Sequence, residues 1–330
     1  MSIKNPKFFI GPMSKNIVDS IIKFCNETNN IVGIIPSRRQ IENTGGYVNN
    51  WTTPDFCRYV RERTENVLLV RDHSGPGQGQ EEDDGYESLL VDCNCFDIIH
   101  IDPWKKYNSL EEGAKETLKM IKYCHDINPA VEFEIATEEA IRRFEPFELK
   151  YLLNFLRDNL DYSIYKKITY LVIQSGTSLK GTQQTGKYDR DRLKDMLEIS
   201  SEFNMISKEH NGDYIGVNII RDKFLNGLDS INIAPEFGLI ETMTYLSELE
   251  KKWSFREIDD FWDICFRSGK WKKWVNDDFN PLEKKRDLIK ICGHYVLSDP
   301  EFLERIKSKL PGIDDKVIKN INKKIKDLHG

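Results

Sequence analysis

Val67-Leu-Leu-Val-Arg-Asp-His-Ser-Gly-Pro-Gly77 is the stretch whose reading decides the fold. Four consecutive apolar residues lead through Arg71 into Asp72-His73, and through Ser74 into a Gly/Pro loop. A short apolar run bounded by turn residues is the pattern of a strand buried on both faces. Here that strand delivers an acid and an imidazole to a flexible rim. The grammar recurs along the chain. Residues 8–11, 31–35, 67–70, 97–101, 130–135, 168–173, 205–209 and 230–234 read as strands. Residues 15–28, 53–65, 85–93, 110–125, 137–159, 189–203, 214–225 and 236–251 read as helices. Polar, Gly-bearing loops span 75–84 and 176–187, and either could close over a site as a lid.

Strict alternation of strand and helix predicts a parallel sheet. Eight such units in about 250 residues predict a closed (β/α)8 TIM barrel. The rival is an open doubly wound sheet. It needs a Gly-rich phosphate turn after an early strand, and neither G-x-G-x-x-G nor a Walker A sequence stands there. After residue 251 the texture changes to Lys, Trp and acid, with Trp253, Trp262, Trp271 and Trp274 in amphipathic segments. The barrel is therefore assigned to 1–251, and 252–330 to a helical extension packed on the barrel or on a partner.

The 330 residues are 39% hydrophobic and 31% charged, enough for a sizeable core, and the formal net charge is −6. A mildly acidic, mixed surface argues against nucleic acid and anionic membranes as partners. No run of 18 apolar residues occurs, and the first residues lack the apolar stretch of a signal peptide. The seven cysteines are odd in number and irregular in spacing. Free thiols and a cytoplasmic location are expected.

Barrel chemistry sits where strands end. Strand two ends in Pro36-Ser37-Arg38-Arg39-Gln40, strand three in Asp72-His73, and strand four in His100-Ile-Asp102. Strand five carries Glu132 and Glu134, strand six ends at Gln174, strand seven at Lys208-Glu-His210, and strand eight carries Asn232. Residues two apart share a face. His100 with Asp102, Glu132 with Glu134, and Lys208 with His210 are expected in the mouth; Ile99, Ile101, Phe133 and Ile206 are expected under the helices. Burying so many ionisable groups without partners costs on the order of several kcal/mol each. Either they pair with one another, or a cation or charged substrate resolves the cost. His73, His210 and a carboxylate such as Glu134, with His100 as a further ligand, suit Zn²⁺ or another divalent metal. Asp72 is the candidate proton-transfer group. Ser37, Arg38, Arg39, Gln40, Asp102, Gln174, Lys180 and Asn232 are candidate substrate contacts, the arginines for their planar fork toward anions.

In strand order these residues resemble one family, the non-catalytic subunits of tagatose-1,6-bisphosphate aldolase, which belong with the class II aldolase barrels. Ser37 to Tyr47 is similar to the family's Ser-Asn-Gln…Gly-Gly-Tyr. Asp72-His73-Ser-Gly-Pro76 is similar to Asp-His-Leu-Gly-Pro, His100-Ile-Asp102 to His-Leu/Val-Asp, and Gln174-Ser-Gly176 to Gln-Pro-Gly. Glu134 falls where the family has a Glu in its fifth strand. His210-Asn-Gly-Asp-Tyr214 is similar to His-Ser-Thr-Asp-Tyr, and Tyr295-Val-Leu-Ser-Asp299 to a C-terminal Tyr-Ser-x-Ser-Asp-Arg. The resemblance implies a barrel, a phosphorylated-sugar context, a proton-transfer role for Asp72, and zinc-ligand roles for His73 and His210. Three departures stand out: Lys208 replaces a Glu, Arg38-Arg39 replaces a neutral pair, and Asp299 is followed by Pro300-Glu-Phe.

Four functions compete. The first is a metal-dependent, class II aldolase-like lyase acting on a phosphorylated sugar or ketose. The second is a non-catalytic subunit stabilising a separate aldolase, with that catalytic subunit or a second copy of this chain as partner. The third is a Schiff-base aldolase built on Lys208. The fourth is a sugar-phosphate epimerase or isomerase on the same barrel.

Overall fold

The apolar runs are rich in Val, Ile and Phe, which fit a pleated backbone packed on both faces. In the computed structural model, which describes residues 5–330, they form β1 (Phe8–Ile10), β2 (Val32–Ile34), β3 (Val67–Ser74), β4 (Ile98–Ile101), β5 (Glu132–Ile135), β6 (Ile168–Ile173), β7 (Ile206–Glu209) and β8 (Ser230–Ile233). Residues 1–4, part of the stretch read for a signal, lie outside the described residues. The strands pair in the order β1-β8-β7-β6-β5-β4-β3-β2 and close into one parallel barrel. With the helices outside, this is a (β/α)8 TIM barrel carrying a C-terminal helical part.

The helices are α1 (Lys15–Thr28), α2 (Thr53–Arg61), α3 (Tyr86–Asp92), α4 (Leu110–Ile127), α5 (Pro146–Asn159), α6 (Arg190–Glu202), α7 (Val217–Leu225) and α8 (Pro235–Lys251). Ser14, Thr52, Ser109 and Asp189 cap α1, α2, α4 and α6 by accepting backbone N–H groups. One boundary differs from the expectation. The helix expected over 137–159 begins only at Pro146, where Glu145 and Glu148 form a reciprocal capping box. Residues 136–145 are instead a loop on the mouth of the barrel, with a single turn at 139–141.

Alternation sorts the strand residues into two cores. Phe9, Ile35, Leu68, Val70, Ile98 and Tyr170 fill the lower interior, Phe9 and Tyr170 meeting edge-on at 5.6 Å. Ile99, Ile101 and Phe133 pack under the helices as expected. Ile206 does not: it joins the interior cluster. The physical reason is parity, since Ile206 lies two residues before Lys208 and shares its face. The outward residue of β7 is Glu209, paired with Lys223 of α7 and accepting from Ser175. The interior is thus apolar below and ionisable above, and that boundary places the site.

The chain after α8 forms α9 (Phe255–Ser268), α10 (Lys285–Cys292), α11 (Pro300–Arg305) and α12 (Ile313–His329). The apolar stripe Ile313, Val317, Ile321, Ile325 and Leu328 of α12 is buried, and the helix packs on α1 and α8. His329 reaches Phe8 and Phe24, with ring centroids at 4.9 and 4.8 Å. Among the described residues no helix is long and apolar enough to cross a membrane.

Candidate active site

The mouth is organised by an irregularity in β3. Arg71 pairs with Ile99 and Ser74 with Ile101, so three steps on β3 oppose two on β4. The extra residue is a bulge, and His73 takes it up in the left-handed region at φ 47°. Adjacent strand residues ordinarily point to opposite faces. The bulge lets Asp72 and His73 both face the mouth. Beneath them Arg71 points outward, fully buried, with a bidentate pair to Asp92 at 2.8 and 2.9 Å. Its Nη1 donates to the Ile41 carbonyl at 2.7 Å.

Three imidazoles meet there. The ring centroids of His73, His100 and His210 lie 5.0 to 5.5 Å apart. His100 commits both ring nitrogens to backbone. Its Nε2–H donates to the Ala136 carbonyl at 2.8 Å, and Nδ1 accepts the His73 N–H at 3.2 Å. Ala136 itself has φ 72°, a strained value for a residue with a Cβ, found where β5 gives way to the mouth loop.

His73 and His210 are arranged alike. Nδ1 of His73 donates to Asp102 at 2.6 Å, and Nε2 of His210 donates to Glu134 at 2.7 Å. Each ring turns its other nitrogen toward one carboxylate, Glu138: Nε2 of His73 at 3.0 Å and Nδ1 of His210 at 3.2 Å from the same Oε2. Burial works to discharge His73, but Asp72, Glu138 and Asp102 overcome it and hold the ring well above the usual imidazole range. For His210 burial is likewise outweighed, by its bonds to Glu134 and Glu138, and its pKa is raised to about 9. Glu138 is held well below the carboxylate range against burial, by the His73 and His210 charges. Asp72 is also lowered, burial being opposed by His73, His100 and His210.

Under this layer Lys208 donates to Glu134 at 2.5 Å and stands over the Phe9 ring at 3.8 Å. Both charged groups are fully buried. Burial is the largest effect on each. It lowers the Lys208 ammonium, while the Lys208 charge and the bond from His210 keep Glu134 ionised against it. A chain of contacts therefore runs Lys208–Glu134–His210–Glu138–His73–Asp102.

A cavity of about 330 Å³ opens above, lined by Ser37, Gln40, Asp72, His73, Glu138 and His210 among others. Asp72 Oδ1 is buried without a hydrogen bond, 3.5 Å from Nδ1 of His100 and 3.9 Å from Nδ1 of His210. Two imidazole nitrogens facing a common point, each ring held from behind by a buried carboxylate, with an unpartnered carboxylate oxygen beside them, fit a divalent cation. His73, Glu138 and His210 bring ligand atoms within 4.8 Å of one another, as do Asp72, His73 and His100, and His100, Glu134 and His210.

With that geometry in view, no protein-family model matches the sequence, and no curated protein matches it either. Solved structures do. A probable tagatose 6 phosphate kinase from Sinorhizobium meliloti 1021 superposes with a TM-score of 0.71 at 16% identity, covering 99% of this chain and 88% of that one. Fructose-bisphosphate aldolase from Campylobacter jejuni gives 0.57 at 13% identity, with 98% and 90% covered. The YdjI aldolase from Escherichia coli K12 gives 0.53 at 14% identity, with 95% and 93% covered. The chain shares the barrel fold of these three structures.

Within this barrel the residues singled out from the sequence take different places. Ser37, Arg39, Gln40 and Asn232 line the cavity. Arg38 does not. It is buried and paired with Glu42 at 2.8 Å and Asp83 at 2.9 Å, and so pins the 75–85 loop. Asp102 is buried behind His73, where it also accepts from Thr137 at 3.1 Å and Gln78 at 3.2 Å. Gln174 is a clamp: its Nε2 donates to the Thr137 and Arg142 carbonyls at 2.8 and 2.7 Å, fixing the loop that carries Glu138. Lys180 lies on a small hairpin, Leu179–Lys180 pairing with Gln183–Gln184, away from this cavity, and bonds Asn276. Glu132, expected in the mouth with Glu134, lies at the start of β5, half-buried. Glu138 was absent from the sequence-derived set. The signal for it was Glu145-Pro146, which starts α5 and leaves 136–145 as a strand-end loop.

Proposed function

We propose that the chain is a metal-dependent aldolase-type lyase acting on a phosphorylated ketose. The observation that carries this reading is the shared point between His73 Nε2 and His210 Nδ1, with Glu138 and Asp72 beside it. His73, His210 and Glu138 would hold the cation, zinc or another divalent ion. When bound, such a cation polarises a substrate carbonyl. His100, bonded to backbone on both nitrogens, orients the site, and Glu134 acts from behind His210.

The rest of the chemistry belongs to the side chains. In aldol cleavage a base removes a hydroxyl proton, and the pair from the broken C–C bond flows toward the carbonyl. Asp72 is the base in this reading, because it is held ionised, it faces the cavity, and its Oδ1 has no hydrogen-bond partner. Asp102 and Glu134 keep His73 and His210 in one orientation, as second-layer carboxylates do. Lys208 is a positioning residue rather than a Schiff-base nucleophile. Its ammonium is spent on Glu134 below the cavity, and a nucleophile needs an accessible, uncharged amine.

The test is retro-aldol turnover of phosphorylated ketoses, read by coupled detection of the triose phosphate, before and after chelation. Chelation and the His73→Ala or His210→Ala variants are each expected to lower kcat/KM by about 100-fold or more. Turnover unaffected by chelation overturns the metal-dependent reading. A second reading, a subunit that stabilises a separate aldolase, is favoured by the exposed Trp253 and Phe255, which stack edge-on at 5.9 Å beyond the barrel. Co-purification with an aldolase, and no turnover by this chain alone, would establish it. A cytoplasmic location, as expected for a chain with scattered free thiols, belongs to the same proposal.

A further inference from the structure

The cavity has a second end of opposite charge. Its lining includes Arg39 from the loop after β2, Lys105 from the loop after β4, and Lys273 from the extension. Among the described residues none of the three forms an ion pair with a carboxylate. Arg39 donates Nε to the Gly79 carbonyl at 3.0 Å, and Lys105 reaches the Gly77 carbonyl. Lys273 stands over the rings of Trp274 and Tyr295, at 4.7 and 5.3 Å. Many other cations of this net-acidic chain are paired, among them Arg38 with Asp83 and Lys324 with Glu236.

The arrangement is held in place. Gly77 and Gly79 belong to the loop that the buried Arg38 fastens through Asp83, so one anchored loop fixes both Arg39 and Lys105. The cations also feel one another. Crowding by protein, then the Arg39, Lys270 and Lys105 charges, pull the Lys273 ammonium down to about 8. Lys105 is lowered by its own partial burial and by Arg39, with Glu82 and Asp102 opposing. Uncompensated like charges around a cavity are relieved by an anion of matching charge.

We infer that Arg39, Lys105 and Lys273 form a subsite for a phosphomonoester dianion, which anchors the substrate's phosphate end at the extension side while its reacting carbonyl lies at the imidazoles. This rests on the reading of the cavity as a sugar-phosphate site. The arginine fork supplies directed donors, and the two lysines supply mobile point charges. Trp274 and Tyr295 close the wall behind them. The extension therefore completes the substrate site as well as packing on the barrel.

The test uses the full chain with metal removed by chelation, so that it is independent of catalysis. Glycerol 3-phosphate and inorganic phosphate are titrated calorimetrically, with glycerol as control. Glycerol 3-phosphate is expected to bind, glycerol is not, and Lys273→Met and Arg39→Gln are each expected to weaken binding about tenfold, or about 1.4 kcal/mol. Both residues are exposed, so thermal midpoints should be unchanged; Lys105→Met repeats the test from a different loop. Equal affinity of wild type and all three variants, or no binding to the wild type, overturns the subsite. Binding that depends on Lys273 in a chain without turnover supports the subsite and overturns the lyase. Turnover that is unaffected by Arg39→Gln and Lys273→Met overturns the subsite and leaves the lyase standing.

Discussion

Glu138 is the residue on which the two halves of the imidazole cluster depend. One oxygen serves both His73 and His210. Glu138→Gln keeps the volume and removes the charge; we expect kcat/KM to fall by about 100-fold, the scale of a lost ligand or proton-transfer group, with the melting midpoint little changed. A full loss of folding in that variant would assign Glu138 to the architecture instead. A second buried acid, Glu241 on α8, lies away from the mouth and accepts from Ser14 and Asn16. Burial raises it from 4.5 to about 7 against those hydrogen bonds. A raised carboxyl binds more protons folded than unfolded, so stability falls as pH rises from about 4.5 to about 7 and levels off above. The amount is about 3 kcal/mol. Glu241→Gln should abolish it, and urea denaturation of both proteins at pH 5 and pH 8 measures the change. A difference between them that is independent of pH would refute the assignment. Asp72 and His73 were legible at this scale because they stand at the end of an apolar run, one residue beyond it. Glu138 was not, because Thr137-Glu-Glu-Ala140 also suits a helix start.

At the scale of elements, β3 controls the site through what it buries. Asp92→Ala would leave Arg71 charged and unpaired where neither side chain is exposed, at a cost of about 3–5 kcal/mol. The loss should also release the bulge that aims His73, so, on the proposed function, the weakened fold is expected to come with weaker binding of an added divalent cation, measured on protein that remains folded. Unchanged stability would show that the Thr53 hydroxyl and the Ile41 carbonyl suffice for Arg71. β2 makes a steric demand of another kind. A Cβ on Gly33 would lie 2.0 Å from the Phe9 ring. Gly33→Ala should cost about 1–3 kcal/mol by overpacking, and since Lys208 stands on that ring, turnover should fall with it. Periodicity located every barrel strand, because the signal is carried by neighbouring residues. It misplaced the start of α5, where acidic helix-formers precede the true cap, and it put Ile206 on the wrong side through a parity slip.

The molecule as a whole is closed by its extension. α12 buries five apolar side chains against α1 and α8. At about 1.5–3 kcal/mol each, an upper figure, that burial is comparable to the entire stability of an ordinary domain. Deleting residues 252–330 should therefore give aggregated or molten protein, and the intact chain should unfold in one calorimetric transition. Two resolved transitions would make the barrel and the extension independent domains.

The sequence by itself determined the barrel and most of its strand-end polar residues. Strand and helix periods are local, and eight repeats leave few ways to close a sheet. Only the tertiary structure decided which of those residues act together. The β3 bulge turned Asp72 and His73 to one side, and the Ala136 carbonyl and the His73 N–H set the His100 tautomer. Arg38 and Gln174 became clamps. Glu138 entered from a loop, and Lys273 entered from the far end of the chain. These are contacts between positions distant along the chain. Burial and charge pairing select them, and no local period encodes them.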